Sequence, residues 1–405
     1  MDTRLTTTHW RLLTATIVAV AFIVTLGASS VSVAKSSTCS ITNTDSGRTY
    51  TRLQQTVDAA KPGDRLVVKG VCHGGTFIDK DIAITGVKTR RTGKPVLDGD
   101  GEARVLTIKP KAKVSIRDLT IRDGRATRIP DGGGISNKGR LTLRDVVVRD
   151  NDSSGREDDG AWIGRGGGIY NQGLLHMRGR SEVTGNHVAS FRLETGSGVY
   201  NAGRLILDDR SRIRSNTGGY GVVNAGTLVM NDRSNVSRND RSKGSFGVTN
   251  AGTLVMNGSS SISNDGSLAN SGSLTMNDAS SIHHNTIPGD SLFCATGAGG
   301  GVRNTGSLRL NDSASIHDNG VSGGCGPRRP PPADRARGGG VYNEGSLTMT
   351  GASSIHSNAV ASTVDGAAGL GGGLYNASGG TLVGVTCGLI GNVYGNTPDD
   401  CYFEP

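Results

Sequence analysis

From about residue 131 onward the chain alternates short apolar–polar runs with corners rich in Gly and Asn. In the segment SLTMNDASSIHHN, Leu274 and Met276 alternate with Ser273 and Thr275, and Ile282 follows after a turn. Period two over so few residues predicts half-buried strands, and no window here holds helical spacing. The unit recurs nine times, each time as a Gly-rich corner, an apolar residue, a variable residue and an Asn. These are Asn137, Asn171, Asn201, Asn224, Asn250, Asn270, Asn304, Asn343 and Asn376. A second Asn follows each, at Asn151, Asn186, Asn216, Asn239, Asn264, Asn285, Asn319, Asn358 and Asn392. The first-to-second spacing stays within 14–16 residues, whereas the distance to the next unit runs from 6 to 24. One arc of each repeat is thus fixed in length and the other takes up the insertions.

The shortest repeat, Asn250 to Asn270, suits three strands and three corners. It is too short for a propeller blade. A single coil of this kind cannot bury its own inner face, so coils must stack ~4.8 Å apart with equivalent strands paired. The prediction is an all-β chain wound as one right-handed parallel β-helix of roughly 11–12 coils. Its core is expected as columns of like residues: Leu228, Leu254, Leu274, Leu308 and Leu347 in one, and Met230, Met256, Met276, Leu310 and Met349 in another. Stacked Asn side chains are expected to bond one another along the axis. Upstream, strand-like runs such as RLVVKGVC and GTFIDKDIAITG read as two or three opening coils. Thr51–Ala60 has near-helical apolar spacing and reads as a helix capping the first coil, where open strand edges invite aggregation.

Composition narrows the picture. Gly supplies 63 of 405 residues and aromatics only 4%, which suits a thin repeated core better than a compact α/β enzyme. Leu12–Ala28 is an unbroken apolar or small stretch preceded by Arg4 and Arg11, and Ser32-Val33-Ala34 fits a cleavage site. Residues 1–34 therefore read as a secretory signal peptide, or as an anchor where uncleaved. Residues 35–130 form the cap and opening coils and 131–405 the repeat coils of the same β-helix. Six Cys in an exported chain favour disulfides. The nearest pairs are Cys39–Cys72, Cys294–Cys325 and Cys387–Cys401, although six Cys allow 15 pairings. The net charge of +9 permits an acidic polymer as partner, while no basic run with interleaved aromatics points to nucleic acid.

The opening LQQTVDAAKPGDRLVVKGVCHGG resembles the cap and first coil of exported right-handed β-helix proteins of the pectin-lyase-like superfamily. The GGGVYN…SSIHSN units are similar to the repeats of chlamydial polymorphic outer membrane proteins, with Ile where those carry the Phe of FxxN, and 13 residues after Asn392 leave no room for their C-terminal barrel. The resemblance implies a β-helix and an export route. It says little of activity, because this architecture serves lyases, hydrolases and adhesins alike.

Polygalacturonase-like enzymes of that superfamily carry GHG and RIK motifs, and neither occurs in this sequence. Paired acids at Asp158-Asp159, Asp208-Asp209 and Asp399-Asp400 do not line up as the two carboxyls that glycoside hydrolysis needs. The long arcs are the expected seat of function, since loops on a rigid frame are free to vary. Asp158, Asp159, Trp162 and Arg165 in one arc and Arg192 in the next are the candidate ligand-binding residues. Arg328, Arg329, Arg335 and Arg337 form a basic arc suited to carboxylates or phosphates. His283, His317 and His356 should stack outward ~5 Å apart, with no acid to complete a metal site. Tyr170 and Tyr200, and Tyr342 and Tyr375, should stack on the outside. The expected function is a secreted or surface-displayed, non-enzymatic and adhesin-like scaffold binding an acidic polysaccharide, cell-surface or cell-wall glycan. The alternative is a lyase or hydrolase acting on uronate glycans. No cofactor, no metal, no nucleic acid and a monomer are expected, with membrane contact only through an uncleaved N-terminus.

Overall fold

A computed structural model describes residues 39–405 apart from 91–92, 127–130, 157–161, 189–194, 240–245, 289–298, 323–335 and 362–368. The chain winds as a right-handed parallel β-helix with three faces. Sheet A contains fourteen strands, sheet B twelve and sheet C twelve. One coil illustrates the path: Ser273–Met276 lies in sheet A, Ser281–His283 in sheet B, and after a corner the chain enters sheet C at Val302–Asn304. Like residues pair in register from coil to coil, for example Leu254 with Leu274 and Leu274 with Leu308. The predicted Leu and Met columns are the core, all with at most 2% exposure. Each such side chain contributes ~1.5–3 kcal/mol by leaving water.

The fixed arc runs from the end of sheet C through sheets A and B, and among the nine repeats the insertions fall mostly between sheets B and C. That corner builds its own small sheet from Thr286–Pro288, Gly320–Ser322 and Ala359–Val360, over a separate core of Ile287, Val321, Ala336 and Val360. Elsewhere the corner between sheets A and B lengthens instead, between Gly86 and Val96 and between Val383 and Val393.

The polar interior explains the repeat. The first Asn column forms an unbroken chain from Asn137 to Asn376, each Nδ2 donating to the next Oδ1 at 2.7–2.8 Å. Buried amides need such partners, and each coil supplies one to the next. The Gly two residues after each Asn from Asn137 to Asn343 is dictated by the same stacking. A Cβ on Gly252 would meet Gly226 O at 2.0 Å, and one on Gly272 would meet Gly252 O at 2.1 Å.

The second column differs from the expected one at two places. Asn264 is not in it: this residue takes a left-handed turn (φ 56°) and Asp265 occupies the buried place, accepting the backbone N–H of Asn239. Asn392 is not in it either, because the lengthened corner moves the place to Asn396, whose Oδ1 accepts from Asn358 at 3.0 Å. Asn392 closes its own loop, donating to Gly384 O at 2.7 Å. A third column went unforeseen. Asn311, Asn277 and Asn257 each donate to the preceding coil at 2.8 Å, and Asn231 ends the run on Asp208 at 2.7 Å.

The N-terminal end is closed as expected. Ser40–Asn43 and Thr49–Tyr50 pair antiparallel along the edge of sheet A, and the helix Leu53–Ala59 buries Leu53, Thr56 and Val57 over the core. Disulfides join Cys39 to Cys72 and Cys387 to Cys401, as proposed from their proximity. Both fit an oxidising environment. Cys294 and Cys325 lie outside the described residues.

Candidate functional site

The residue just before each ladder Asn points outward from sheet C. Register makes these residues one column: Ser136, Tyr170, Tyr200, Val223, Thr249, Ala269, Arg303, Tyr342, Tyr375 and Tyr402. Beyond Ser136, tyrosines stand toward both ends, and Val223, Thr249 and Ala269 between them are small. Tyr170 and Tyr200 have centroids 5.5 Å apart, Tyr342 and Tyr375 5.3 Å, and Tyr375 and Tyr402 5.1 Å. The expected stacking is present, but Tyr170, Tyr342 and Tyr375 are buried rather than open to solvent. Arg165 lies over Tyr170 at 5.2 Å and Arg337 over Tyr375 at 5.0 Å, so corner residues fold back across these rings.

Where the column narrows, a groove opens. Its floor is Val223, Thr249 and Ala269, with Tyr200 at one end and Arg303 at the other. Tyr220 and Phe246, with centroids 5.9 Å apart, wall the side toward the long corners. The cavity measures about 330 Å³, within the usual range for small-ligand sites. Tyr200 and Arg303 are four strand spacings apart, ~19 Å, so the groove is elongated along the helix axis. Arg303 extends an Nη2 toward Glu344 at 3.6 Å, while its Nε is buried and finds no hydrogen-bond acceptor among the described residues. A buried guanidinium N–H without an acceptor is a costly arrangement that an incoming anionic oxygen would relieve. Glu344 also accepts from the Tyr342 hydroxyl at 2.9 Å.

Burial, then the bond to Glu344, raises the Tyr342 pKa, and burial pushes Tyr375 up to about 12 against the opposing Arg337 charge. Burial first and Asp131 second raise Tyr170. These phenols therefore stay protonated at neutral pH and present neutral faces and O–H donors.

Of the residues singled out from sequence, Arg165 is well defined. Its Nε and Nη2 grip Asp131 at 2.8 and 3.1 Å while its plane covers Tyr170 and Tyr200. Burial opposes its charge, and the Asp131 bonds and field outweigh that, so its pKa is raised. Trp162 lies in a short hairpin, Gly155–Arg156 against Trp162–Ile163. Asp158, Asp159 and Arg192 lie outside the described residues, as do Arg328, Arg329 and Arg335. The groove residues Tyr220, Phe246 and Arg303 were not singled out.

Sheet B carries the histidines. His283, His317 and His356 stack with centroids 5.1 and 5.0 Å apart, as expected, and Tyr394 continues the stack at 5.3 Å. The expectation that no acid accompanies them is corrected: Asp318 bonds His317 Nδ1 at 2.8 Å, and His284 sits beside His283. Among the described residues the group whose ligand atoms lie within 4.8 Å of one another is a different one, His73, Asp98 and Asp100. There Asp98 is already held by Arg122 at 2.9 Å and by the Asp100 N–H at 2.9 Å, which leaves it little capacity for an ion. The chain matches no family model, no curated protein sequence and no solved structure.

Proposed function

We propose that this protein is an exported, non-enzymatic scaffold that holds a glycan along the outer face of sheet C, with an acidic sugar group at Arg303. The observation that carries this reading is the groove: an elongated cavity with an aromatic end, an aromatic side wall, a small-residue floor and a buried guanidinium N–H that has no acceptor among the described residues. Aromatic faces suit the C–H faces of sugar rings, and a guanidinium suits carboxylate or sulfate. The rigid register of the stacked coils fixes these groups before any ligand arrives, which lowers the ordering cost of binding.

The export part of the proposal rests on the apolar N-terminal segment and on disulfides that suit an oxidising compartment. The LQQTVDAAKPGD opening and the Gly-rich repeats support placing the chain among exported β-helix proteins akin to the pectin-lyase-like superfamily, in an adhesin-like role at the cell surface.

The test is a glycan array probed with the protein, followed by product analysis. Binding to anionic glycans without new unsaturated or reducing ends supports the proposal. Release of such ends would replace it with the lyase or hydrolase reading, and no binding to any glycan would overturn it.

A further inference from the structure

In sheet B the residue before the buried ladder position adopts a left-handed conformation in successive coils, with φ of 54° at Ser215, 56° at Arg238 and Asn264, 55° at His284, 52° at Asp318 and 54° at Ser357. A regular strand would send neighbouring side chains to opposite faces. This turn instead leaves two consecutive side chains on the outside, one at the strand end and one at the turn. Adjacent coils thus present a two-by-two patch of outward positions. At one place in the molecule these four positions hold His283, His284, His317 and Asp318.

The four side chains form two close pairs, and no three of them yet bring their ligand atoms within 4.8 Å of one another, so a common ion requires rotation of one pair toward the other. His283 Nδ1 and His284 Nδ1 face each other at 2.8 Å. His317 stacks on His283 at 5.1 Å, nearly parallel, and its centroid lies 6.4 Å from that of His284. The Asp318 carboxylate meets His317 Nδ1 at 2.8 Å. His284 is exposed and the other two imidazoles are half-buried, so the patch is open to solvent.

We propose that this patch binds one divalent transition-metal ion, with His283, His284 and His317 as nitrogen ligands and Asp318 as the oxygen ligand. Imidazole donors favour zinc, copper and nickel over calcium or magnesium, which take oxygen. Three nitrogens and one carboxylate form a set that zinc accepts in tetrahedral geometry. The two facing Nδ1 atoms share a proton when metal-free. An ion at ~2.0–2.1 Å from each takes the place of that proton and asks for only a modest opening of the pair. His317 and Asp318 then close the site by side-chain rotation at the surface. The set ends at the next coil, where His356 has Ser357 as its turn neighbour. His356 is therefore an internal control.

The experiment is isothermal titration of the EDTA-stripped full chain with Zn²⁺ at pH 7.5, with cobalt absorption as a geometric readout. One equivalent of Zn²⁺ is expected, with affinity reduced at least ~10-fold by His284→Ala and by His317→Ala and unchanged by His356→Ala. The Co²⁺ form should show the intense visible bands of a tetrahedral site, lost in His284→Ala. Circular dichroism checks that each variant keeps its sheet signal. Absence of Zn²⁺ binding, binding undiminished in both His284→Ala and His317→Ala, or an equal loss in His356→Ala would each overturn the assignment.

Discussion

Asn250→Ala probes the internal amide chain at its centre. The Asn250 side chain is 1% exposed as part of a buried residue. It accepts from Asn224 Nδ2 at 2.7 Å, and its Nδ2 donates to Asn270 Oδ1 at 2.8 Å and Ser273 O at 3.0 Å. Three hydrogen bonds vanish, worth ~1 kcal/mol each. Asn224 keeps Thr253 O at 2.9 Å, so its donor loses little further. The Asn270 acceptor loses its Asn250 donor, a buried penalty of ~1–3 kcal/mol. The predicted destabilisation is therefore ~4 kcal/mol, with Thr249→Ala on the outer face as a control within ~0.5 kcal/mol. Asn250→Asp should cost more than Ala, since it aims a carboxylate at the Asn270 oxygen in a dry interior. The assay is urea unfolding followed by far-ultraviolet circular dichroism, with hydrogen exchange on the flanking coils to catch local opening. A loss below ~1 kcal/mol for Asn250→Ala would refute the reasoning that the amide chain holds adjacent coils together.

Other outcomes follow from the same geometry. Gly272→Ala should destabilise the fold by several kcal/mol in urea unfolding, because its Cβ would sit 2.1 Å from Gly252 O and the backbone there has no room to move. Reducing the disulfides should lower the thermal midpoint, with closed loops of 33 and 14 residues corresponding to ~4 kcal/mol for Cys39–Cys72 and ~3 kcal/mol for Cys387–Cys401; single Cys→Ser variants measured by calorimetry separate the two. With EDTA present, stability should fall as pH drops below the ordinary His range. Burial first, then the charges of His317 and His284, hold His283 down to about 4, and burial and His317 lower His356. The unfolded chain then binds more protons than the folded one between pH 6.5 and about 4, so the stabilisation is complete above pH 6.5 and is lost on acidification. Asp318, lowered by its bond to His317, adds a further loss in the same direction once the pH falls below the ordinary carboxylate range. His283→Ser, which copies Ser263 of the preceding coil, should flatten the unfolding profile across that window.

The fold was readable because its stacking rule leaves a sequence trace. An Asn that bonds its copy one coil away must recur at a fixed arc length, and a Gly that meets the preceding backbone must follow two residues later. The trace blurs where chemistry is nearly degenerate. Asn264 and Asp265 are neighbours of equal size, and the left-handed turn decides which of them faces inward. Asn392 and Asn396 exchanged places because one corner lengthened in the last coil. The groove was harder to see, since it is defined by what its column lacks. The signal was present in the residue before each first Asn, which reads Tyr, Tyr, Val, Thr, Ala, Arg, Tyr, Tyr from Tyr170 to Tyr375. The small residues between the tyrosine pairs carry neither charge nor a ring, so by themselves they mark no site. Tyr220 and Phe246 each stand four residues before a ladder Asn, at a place that is Gly in six of the other seven repeats, so the substitution of an aromatic for Gly in two successive coils was the signal that marks the groove wall.

The central claim is that sheet C seats a sugar chain between Tyr200 and Arg303, and a crystal structure of the protein soaked with an acidic oligosaccharide from its glycan-array hits tests this most directly. The account predicts ring density over Val223, Thr249 and Ala269 with an anionic oxygen within hydrogen-bond distance of Arg303 Nε, and no such density in Ala269→Trp. Sugar density elsewhere on the molecule with this groove empty, or a ligand retained unchanged in Ala269→Trp, would contradict it.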